Sequence, residues 1–209
     1  MQTNPTAKRI LCFGDSNTWG YIPGTKAERY PTDIRWTGVL QNLLGNNYEI
    51  IEEGLNSRTI KENDNRPGKE GRIAMDYIIP CLDTHNPLDY ILIMLGSNEL
   101  KSEFNLSAKD IGDNLKSLIQ VIQFRTKAEI IIIVPPILNE NTEYAMTNNK
   151  YVGAYEKSLE FKKVYVDIAK ELGLKIVDVQ DKMIVGVDGA HITEESHSML
   201  AGAICNVIK

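Results

Sequence analysis

The sequence has few cysteines and aromatic residues and no long apolar run, as is typical of ordinary globular proteins. Only three of its 209 residues are cysteine, and Cys12, Cys81 and Cys205 lie far apart along the chain. Neither a disulfide framework nor a paired-cysteine metal or redox site is therefore expected. Aromatic residues make up 7% of the chain, and no apolar run approaches the ~18 residues that a membrane span requires. We expect no structural disulfide and no membrane-spanning helix.

An excess of basic residues is also missing. The chain has 23 Lys+Arg against 28 Asp+Glu and a formal net charge of -5, without a basic stripe, which argues against nucleic acid as a partner. The first nine residues contain neither the apolar core nor the cleavage site of a signal peptide, so we expect a cytoplasmic protein. With 43% apolar residues and this length, the sequence predicts one folded domain over residues 1–209.

Five short apolar runs, each flanked by turn residues, predict five β-strands. They cover residues 9–13, 48–52, 88–95, 129–134 and 174–179. The third and fourth runs are almost continuously apolar, which is typical of parallel strands that are buried on both faces.

Helical patterns separate these runs. They cover residues 36–44, with Thr32 or Asp33 as the N-cap, a weaker segment 71–82 interrupted by Pro80, a helix opened by Ser107, residues 150–172, and the last residues of the chain. Strands that alternate with helices predict an α/β fold, a three-layer α/β/α sandwich with a flavodoxin-like parallel sheet. The commonest order for five such strands is 2-1-3-4-5.

Three polar segments follow the first three strands, where ligands bind in such sheets. Ser16 follows the first strand, Gly54 the second and Asn98 the third. Alone, each is ordinary turn chemistry, and a serine at a helix start suits either an attacked carbonyl oxygen or a phosphate. In the predicted order the three meet, and the Ser16 N–H, the Gly54 N–H and the Asn98 amide could form an oxyanion hole beside the Ser16 hydroxyl.

A general base must be one of three histidines. His85 lies at a predicted helix end, where we expect a surface or capping residue, and His197 lies on the last helix, where we expect a hydrogen bond at the surface. His191 is three residues after Asp188, and on a helical turn such residues are neighbours, so the carboxylate could hold the imidazole. The segment from Gln180 to Ile192 is long enough to bring the imidazole back to Ser16.

Two other interpretations compete with a catalytic serine that is activated by His191. The C-terminal part of the chain is rich in candidate metal ligands, yet no HExxH motif or cysteine pair accompanies them, so we expect no metal and no cofactor. A flavodoxin-like module could instead cradle the phosphate of FMN with residues 16–18. Asp188 beside His191 discriminates against that interpretation, because a flavin module does not need this pair.

Together the four polar blocks resemble the SGNH hydrolase superfamily, the GDSL-type esterases. The blocks are Gly14-Asp15-Ser16, Gly54, Gly96-Ser97-Asn98 and Asp188-Gly189-Ala190-His191, and their order matches across essentially the whole chain. Residues 12–21, 51–59 and 94–101 are similar more narrowly to the bacterial arylesterase/acyltransferase branch.

This resemblance implies a serine esterase without a cofactor. It implies that Ser16 is the nucleophile, that His191 is the base held by Asp188, and that Ser16, Gly54 and Asn98 stabilise the oxyanion. It further implies a small-molecule substrate, a short acetyl or aryl ester, with acyl transfer to alcohols in some members and association into a homo-oligomer. A carbohydrate O-acetylesterase and a lysophospholipase-like enzyme are the alternatives on the same scaffold.

The sequence departs from the family pattern at two positions. Asn17 stands where the family name has leucine, which we expect to alter the acyl pocket, and Glu99 stands where the usual block has aspartate, which we expect to alter local geometry. Trp19, Tyr21 and Ile192 flank the candidate catalytic residues and could line the acyl pocket. The polar segment 139–153, with Tyr144, is expected to form a loop over the same end of the sheet and favours small substrates.

Overall fold

The computed structural model describes residues 4–140 and 149–209. Its five strands form one parallel sheet in the order β2-β1-β3-β4-β5, which confirms the predicted topology. The strands are β1 (Lys8–Gly14), β2 (Tyr48–Gly54), β3 (Tyr90–Met94), β4 (Glu129–Ile133) and β5 (Lys175–Val177). The expected loop 139–153 falls largely on residues 141–148, including Tyr144, which lie outside the described residues.

Six α-helices connect and follow the strands within the described part of the chain. They are α1 (Ser16–Trp19), α2 (Trp36–Leu44), α3 (Ala74–His85), α4 (Ala108–Arg125), α5 (Ala154–Leu172) and α6 (Glu194–Ile208). Helix α4 follows Ser107 as predicted, and its start is a capping box: Ser107 accepts from the Asp110 N–H, and the Asp110 carboxylate accepts from the Ser107 N–H. Gly173 ends α5 in the left-handed conformation, as glycine at this position commonly does.

The helices cover both faces of the sheet, which confirms the three-layer architecture. On one face α2 and α6 pack together, and Trp36 and Leu200 belong to a buried cluster with Ile131 of β4. On the other face α3, α4 and α5 contribute Ile78, Leu115 and other apolar residues to a second cluster. Because β3 and β4 lie between the two clusters, their continuous apolar sequence is explained by burial on both faces.

Three helix predictions differ from the structure. Arg35, not Thr32 or Asp33, precedes α2, and no side chain caps that helix. Helix α3 continues through Pro80 to His85. Helix α5 begins at Ala154, four residues later than the predicted start. In each case a helix is present in the predicted part of the chain, and the error lies in the position of a helix end or its cap, which local sequence determines weakly.

The strand register brings the candidate site segments to one edge of the sheet. Gly14, the last residue of β1, lies between Gly54 of β2 and Met94 of β3. The segments that contain Ser16 and Asn98 therefore leave the sheet at the same edge where β2 ends. Within residues 4–140 and 149–209, no helix has the length and apolarity needed to cross a membrane.

The surface position expected for His197 is wrong. The side chain is fully buried, its Nδ1 accepts a hydrogen bond of 3.2 Å from the Trp36 N–H, and the Tyr30 ring packs edge-on against it. Burial, assisted by the nearby charge of Arg35, lowers the pKa of His197 to about 4. The residue joins α6 to the start of α2. His85 does lie at a helix end, half-buried, with its Nε2 2.9 Å from a Glu53 carboxylate oxygen.

His197 should make the stability of the protein fall with acidification. An unfolded histidine takes up a proton near pH 6.5, whereas the buried one does so only near pH 4. Between these values the unfolded state binds more protons, so moving from pH 7 to pH 5 should lower the free energy of unfolding by about 2 kcal/mol through this residue. In His197→Asn, which keeps an acceptor for Trp36, urea unfolding at both pH values should show a loss smaller by about this amount. An equal loss in the two proteins would contradict the assignment.

Candidate active site

The Ser16 hydroxyl is held at the start of a short helix directly after the central strand β1. Asp15 caps this helix by accepting a hydrogen bond of 2.9 Å from the Asn17 N–H, and Gly20 ends it at a φ of 89°. The strand turns into the helix against β3, and a Cβ at Gly14 would lie 2.8 Å from the Met94 carbonyl oxygen. A side chain at position 14 would therefore push the Ser16 segment away from the sheet.

Two hydrogen-bonded contacts hold the His191 imidazole, and one of them joins it to a residue near the other end of the chain. The His191 Nε2 lies 2.9 Å from the Ser16 Oγ, and the His191 Nδ1 lies 2.7 Å from the Asp188 Oδ2. The segment after β5 thus brings the imidazole back to β1, as its length allows. This arrangement can move a proton from the serine hydroxyl to the imidazole while the carboxylate holds the opposite ring nitrogen.

The Asp188 carboxylate is held by more donors than the imidazole alone. Its Oδ1 accepts from the N–H groups of Ala190 and His191, each at 3.0 Å, and its Oδ2 also accepts from the Gly24 N–H at 3.1 Å. Asp188 and His191 are neighbours as expected, but on a tight turn closed by the aspartate side chain and not on a helical turn. Burial alone would raise the pKa of Asp188; the hydrogen bonds from His191 and the backbone outweigh it and lower the pKa to about 2.

Tyr21 fixes the plane of the imidazole. Its ring stacks on the His191 ring with centroids 4.0 Å apart and planes inclined by 17°. Of the three residues expected to line the acyl pocket, Tyr21 does line the cavity beside Ser16. Trp19 and Ile192 are not among its lining residues, and Ile192 is fully buried in the core cluster under α2 and α6.

Asn17 connects the nucleophile segment to the histidine segment. Its Oδ1 accepts from the Ile192 N–H at 3.0 Å, and its Nδ2 donates to the Ala190 carbonyl at 3.3 Å. These two bonds lie on either side of His191 in sequence. The sequence predicted an effect of Asn17 on the acyl pocket; the residue does line the cavity, but its bonds also hold the His191 turn, which no local pattern indicates.

Gly54 and Asn98 lie at the same sheet edge, but of the two only Asn98 is among the described residues that line the cavity. At Gly54 a Cβ would lie 2.3 Å from the Trp19 nitrogen, so only glycine lets β2 approach the backbone of α1 this closely. Asn98 lies on a 3₁₀ turn after β3, is 6% exposed and lines the cavity together with Ser16 and His191.

Glu99, the second departure from the family pattern, is fully buried behind Asn98. One carboxylate oxygen accepts a hydrogen bond from the Ile60 N–H, which ties the segment after β3 to the segment after β2. The other oxygen has no partner in the described structure. Burial raises the pKa of Glu99 to about 7, because desolvation disfavours the charged form.

The residues that could hold a metal ion lie outside this constellation. Within residues 4–140 and 149–209, one group of three ligand atoms, from Glu53, Cys81 and His85, lies within 4.8 Å. The C-terminal residues that the sequence offers as candidate ligands, Asp178, Asp181, Asp188, His191 and His197, form no such group in the described part of the chain. Burial raises the pKa of the Cys81 thiol to about 12, which disfavours the thiolate that binds metals.

The cavity beside Ser16 is small, about 170 Å³, and one part of its wall is basic. The basic lining residues are Arg66, Lys69, Lys101 and Lys150. Sequence reasoning missed them, because they come from three separate segments and none belongs to a recognisable pattern.

The chain matches a known protein family over most of its length. The model of the GDSL-like lipase/acylhydrolase family matches residues 12–197. The chain belongs to this family. The matched region contains both Ser16 and His191, the two residues whose side chains meet across the fold.

Solved structures of esterases are similar to this family member over nearly its whole length. An aryl esterase from M. smegmatis is 34% identical in its inhibitor-bound form, with 97% of this chain and 98% of that chain covered and a TM-score of 0.89. Est24, a carbohydrate acetylesterase from Sinorhizobium meliloti, is 32% identical, with 96% and 98% covered and a TM-score of 0.88. No curated protein sequence gives a significant match. The chain is a carboxylic ester hydrolase, and the flavin-binding alternative is set aside.

The two Asn17 hydrogen bonds should support turnover by positioning His191. In Asn17→Leu the Ile192 N–H loses its acceptor in a buried place, an effect worth about 1–3 kcal/mol. If the His191 turn shifts in response, kcat for p-nitrophenyl acetate should fall about tenfold or more, with a smaller change in KM. Steady-state kinetics check this, with thermal unfolding as the control for folding. A variant with wild-type kcat would show that Asn17 does not position the imidazole.

Proposed function

We propose that this chain is a serine esterase that cleaves short acyl esters through an acyl-enzyme. The observation that carries the proposal is the pair of contacts at His191: 2.9 Å from Nε2 to the Ser16 Oγ and 2.7 Å from Nδ1 to the Asp188 Oδ2. This is the geometry in which a serine hydroxyl becomes a nucleophile at neutral pH.

In the acylation step, the Ser16 Oγ attacks the ester carbonyl carbon while His191 takes the hydroxyl proton. Asp188 remains ionised, since four hydrogen bonds hold it and its pKa is lowered to about 2, and it stabilises the imidazolium that forms. His191 then gives the proton to the departing alkoxide, and the acyl group stays on Ser16.

The negative charge that develops on the carbonyl oxygen needs hydrogen-bond donors. We assign this role to the Ser16 N–H, the Gly54 N–H and the Asn98 side-chain amide. The loss of one such donor typically lowers the rate by ~10²- to 10³-fold. The described residues give the Asn98 carboxamide no hydrogen-bond partner in the protein, so its N–H groups remain available to substrate. Water then attacks the acyl-enzyme with His191 as base; an alcohol at this step would give acyl transfer.

The cavity supports a short acyl group. Its volume of about 170 Å³ is below the ~300–1,000 Å³ of pockets that enclose larger ligands. Among the similar structures, the carbohydrate acetylesterase is named for the acetyl group, which is a short acyl group. A carbohydrate O-acetylesterase is the second candidate, favoured by the polar lining residues Asn56 and Ser57, which could hydrogen-bond to a hydroxylated alcohol. Association into a homo-oligomer stays a prediction of the sequence.

Ser16→Ala should abolish turnover without unfolding the protein. Removal of a nucleophile that acts as a unit with its base should lower kcat for p-nitrophenyl acetate by ~10³-fold or more, with the melting temperature unchanged. A fluorophosphonate probe, read by mass spectrometry, should modify Ser16 in the wild type. Ser97→Ala, which changes another serine of the same cavity, should still be modified at Ser16. Labelling of a different side chain would move the nucleophile elsewhere.

The value of kcat/KM should depend on the length of the acyl chain. Because the cavity cannot enclose a long acyl chain, kcat/KM for p-nitrophenyl acetate should exceed that for the palmitate ester by about 10²-fold or more. The measurement uses both esters dispersed in the same detergent, below and above its micellar concentration. Comparable values for the two esters would show that a long apolar groove exists and would exclude a small acyl pocket.

A further inference from the structure

The described residues that line the cavity beside Ser16 carry charge of only one sign. Four cationic side chains line it, and no aspartate or glutamate is among its described lining residues. The whole chain, by contrast, has a net charge of -5. The composition therefore does not explain a concentration of cations at this one concave place.

The neighbouring carboxylates compensate these cations only in part. The buried Asp64 accepts hydrogen bonds from Arg66 and from the Lys101 Nζ, the latter at 2.9 Å, so one negative charge is shared by two cations. Lys69 and Lys150 form no ion pair within residues 4–140 and 149–209. The cavity wall thus keeps a positive charge that the described residues do not neutralise.

Two of these lysines are partly or fully removed from water. Lys101 is only 1% exposed and shares the Asp64 carboxylate with Arg66; its burial lowers the pKa of the ammonium group. At Lys150, burial and the nearby charges of Arg66 and Lys101 lower the pKa to about 8. An anion bound between these side chains would relieve the repulsion and would itself be held strongly, because water is partly excluded there.

The cations belong to segments that follow three different strands. Arg66 and Lys69 come from the segment after β2, and Lys101 follows Asn98 after β3, whereas Tyr21 and His191 form another part of the cavity wall. A second, shallower pocket, lined by Arg66 and Lys150 with Ser102, Glu103 and Asn149, adjoins the first through its two cations. Glu103 is the one carboxylate among its described lining residues. Arg66 and Lys150 thus line both pockets, and all four basic side chains line the same cavity as Ser16.

We propose that this site acts on esters that carry a negatively charged group, a carboxylate or a phosphate, which Lys69, Lys150 and Arg66 bind while Ser16 attacks the ester carbonyl. The inference rests on the proposed serine esterase function and specifies its substrate class. The reaction is ordinary hydrolysis: the bond between the acyl carbon and the alcohol oxygen breaks, water supplies the hydroxyl of the acid and the proton of the alcohol, and the charged group is unchanged. The charged group can belong to the alcohol or to the acyl part, and the two sources are separable.

The test measures kcat/KM for matched pairs of esters. The alcohol arm compares 4-acetoxybenzoate with neutral 4-acetoxybenzamide, and the acyl arm compares monophenyl adipate with neutral phenyl hexanoate. Each value is divided by the hydroxide-catalysed rate of the same ester, which removes differences in intrinsic reactivity. We expect the anionic ester to be preferred about tenfold or more in one arm, and the arm identifies which part of the substrate the cations bind. Raising NaCl from about 0.02 M to about 0.5 M should reduce this preference, since salt screens the attraction.

Substitution of Lys69 and Lys150 tests whether these two lysines cause the preference for the anionic ester. In Lys69→Gln/Lys150→Gln the ratio of anionic to neutral ester should fall to within about twofold of one. Lys170→Gln is the matched control: it removes the same charge from an exposed lysine near the far end of α5 and should keep the wild-type ratio. The single variants Lys69→Gln and Lys150→Gln give intermediate ratios if the double variant folds poorly.

The outcomes separate this inference from the function on which it rests. A wild-type ratio at or below one in both arms, or a wild-type ratio in the double variant, would overturn the inference while leaving the esterase intact. If Ser16→Ala retained activity on the neutral esters, the proposed function itself would fail. A salt-sensitive preference that depends on Lys69 and Lys150 supports both.

Discussion

The geometry of the site depends on the hydrogen bonds that the Asp188 carboxylate accepts. It accepts four hydrogen bonds, from the N–H groups of Gly24, Ala190 and His191 and from the His191 imidazole. A buried carboxylate without such donors would be protonated or would move to solvent. With them it remains ionised, closes the turn that carries His191, and ties that turn to the loop after α1. The imidazole therefore reaches Ser16 in one orientation although 175 residues separate the two.

Close backbone approach at the sheet edge is the second requirement. Gly14 turns β1 into α1 beside the Met94 carbonyl, and Gly54 lets β2 end directly against the backbone of Trp19. A Cβ at either position would lie 2.8 Å or less from these backbone atoms, so the segments would have to move apart. The chemistry of the site thus depends on the absence of side chains at two positions as much as on the presence of Ser16 and His191.

Features that local patterns report could be predicted, whereas contacts between distant segments could be predicted only where the usual sheet order or the family resemblance supplied them. The continuous apolar runs of β3 and β4 indicate burial on both faces and hence a parallel sheet, and the observed strand order is the commonest one for such a sheet. The burial of His197 against Trp36 arises from packing between α6 and α2, to which no pattern around residue 197 points. The clamp made by Asn17 and the basic cavity wall join segments far apart in sequence, and each of their residues alone looks like ordinary surface or turn chemistry.

The protonation of two buried carboxyl groups near the cavity affects the electrostatic potential at its wall. Asp15 and Glu99 adjoin Ser16 and Asn98, and burial raises the pKa of Asp15 to about 6 and that of Glu99 to about 7. Near neutral pH Asp15 is therefore still mostly ionised, whereas Glu99 is partly protonated. The protonated fraction of Glu99 lowers the negative charge near the cavity that would oppose an incoming anion. Asp188, in contrast, must stay charged to hold the imidazole, and the fold surrounds it with donors.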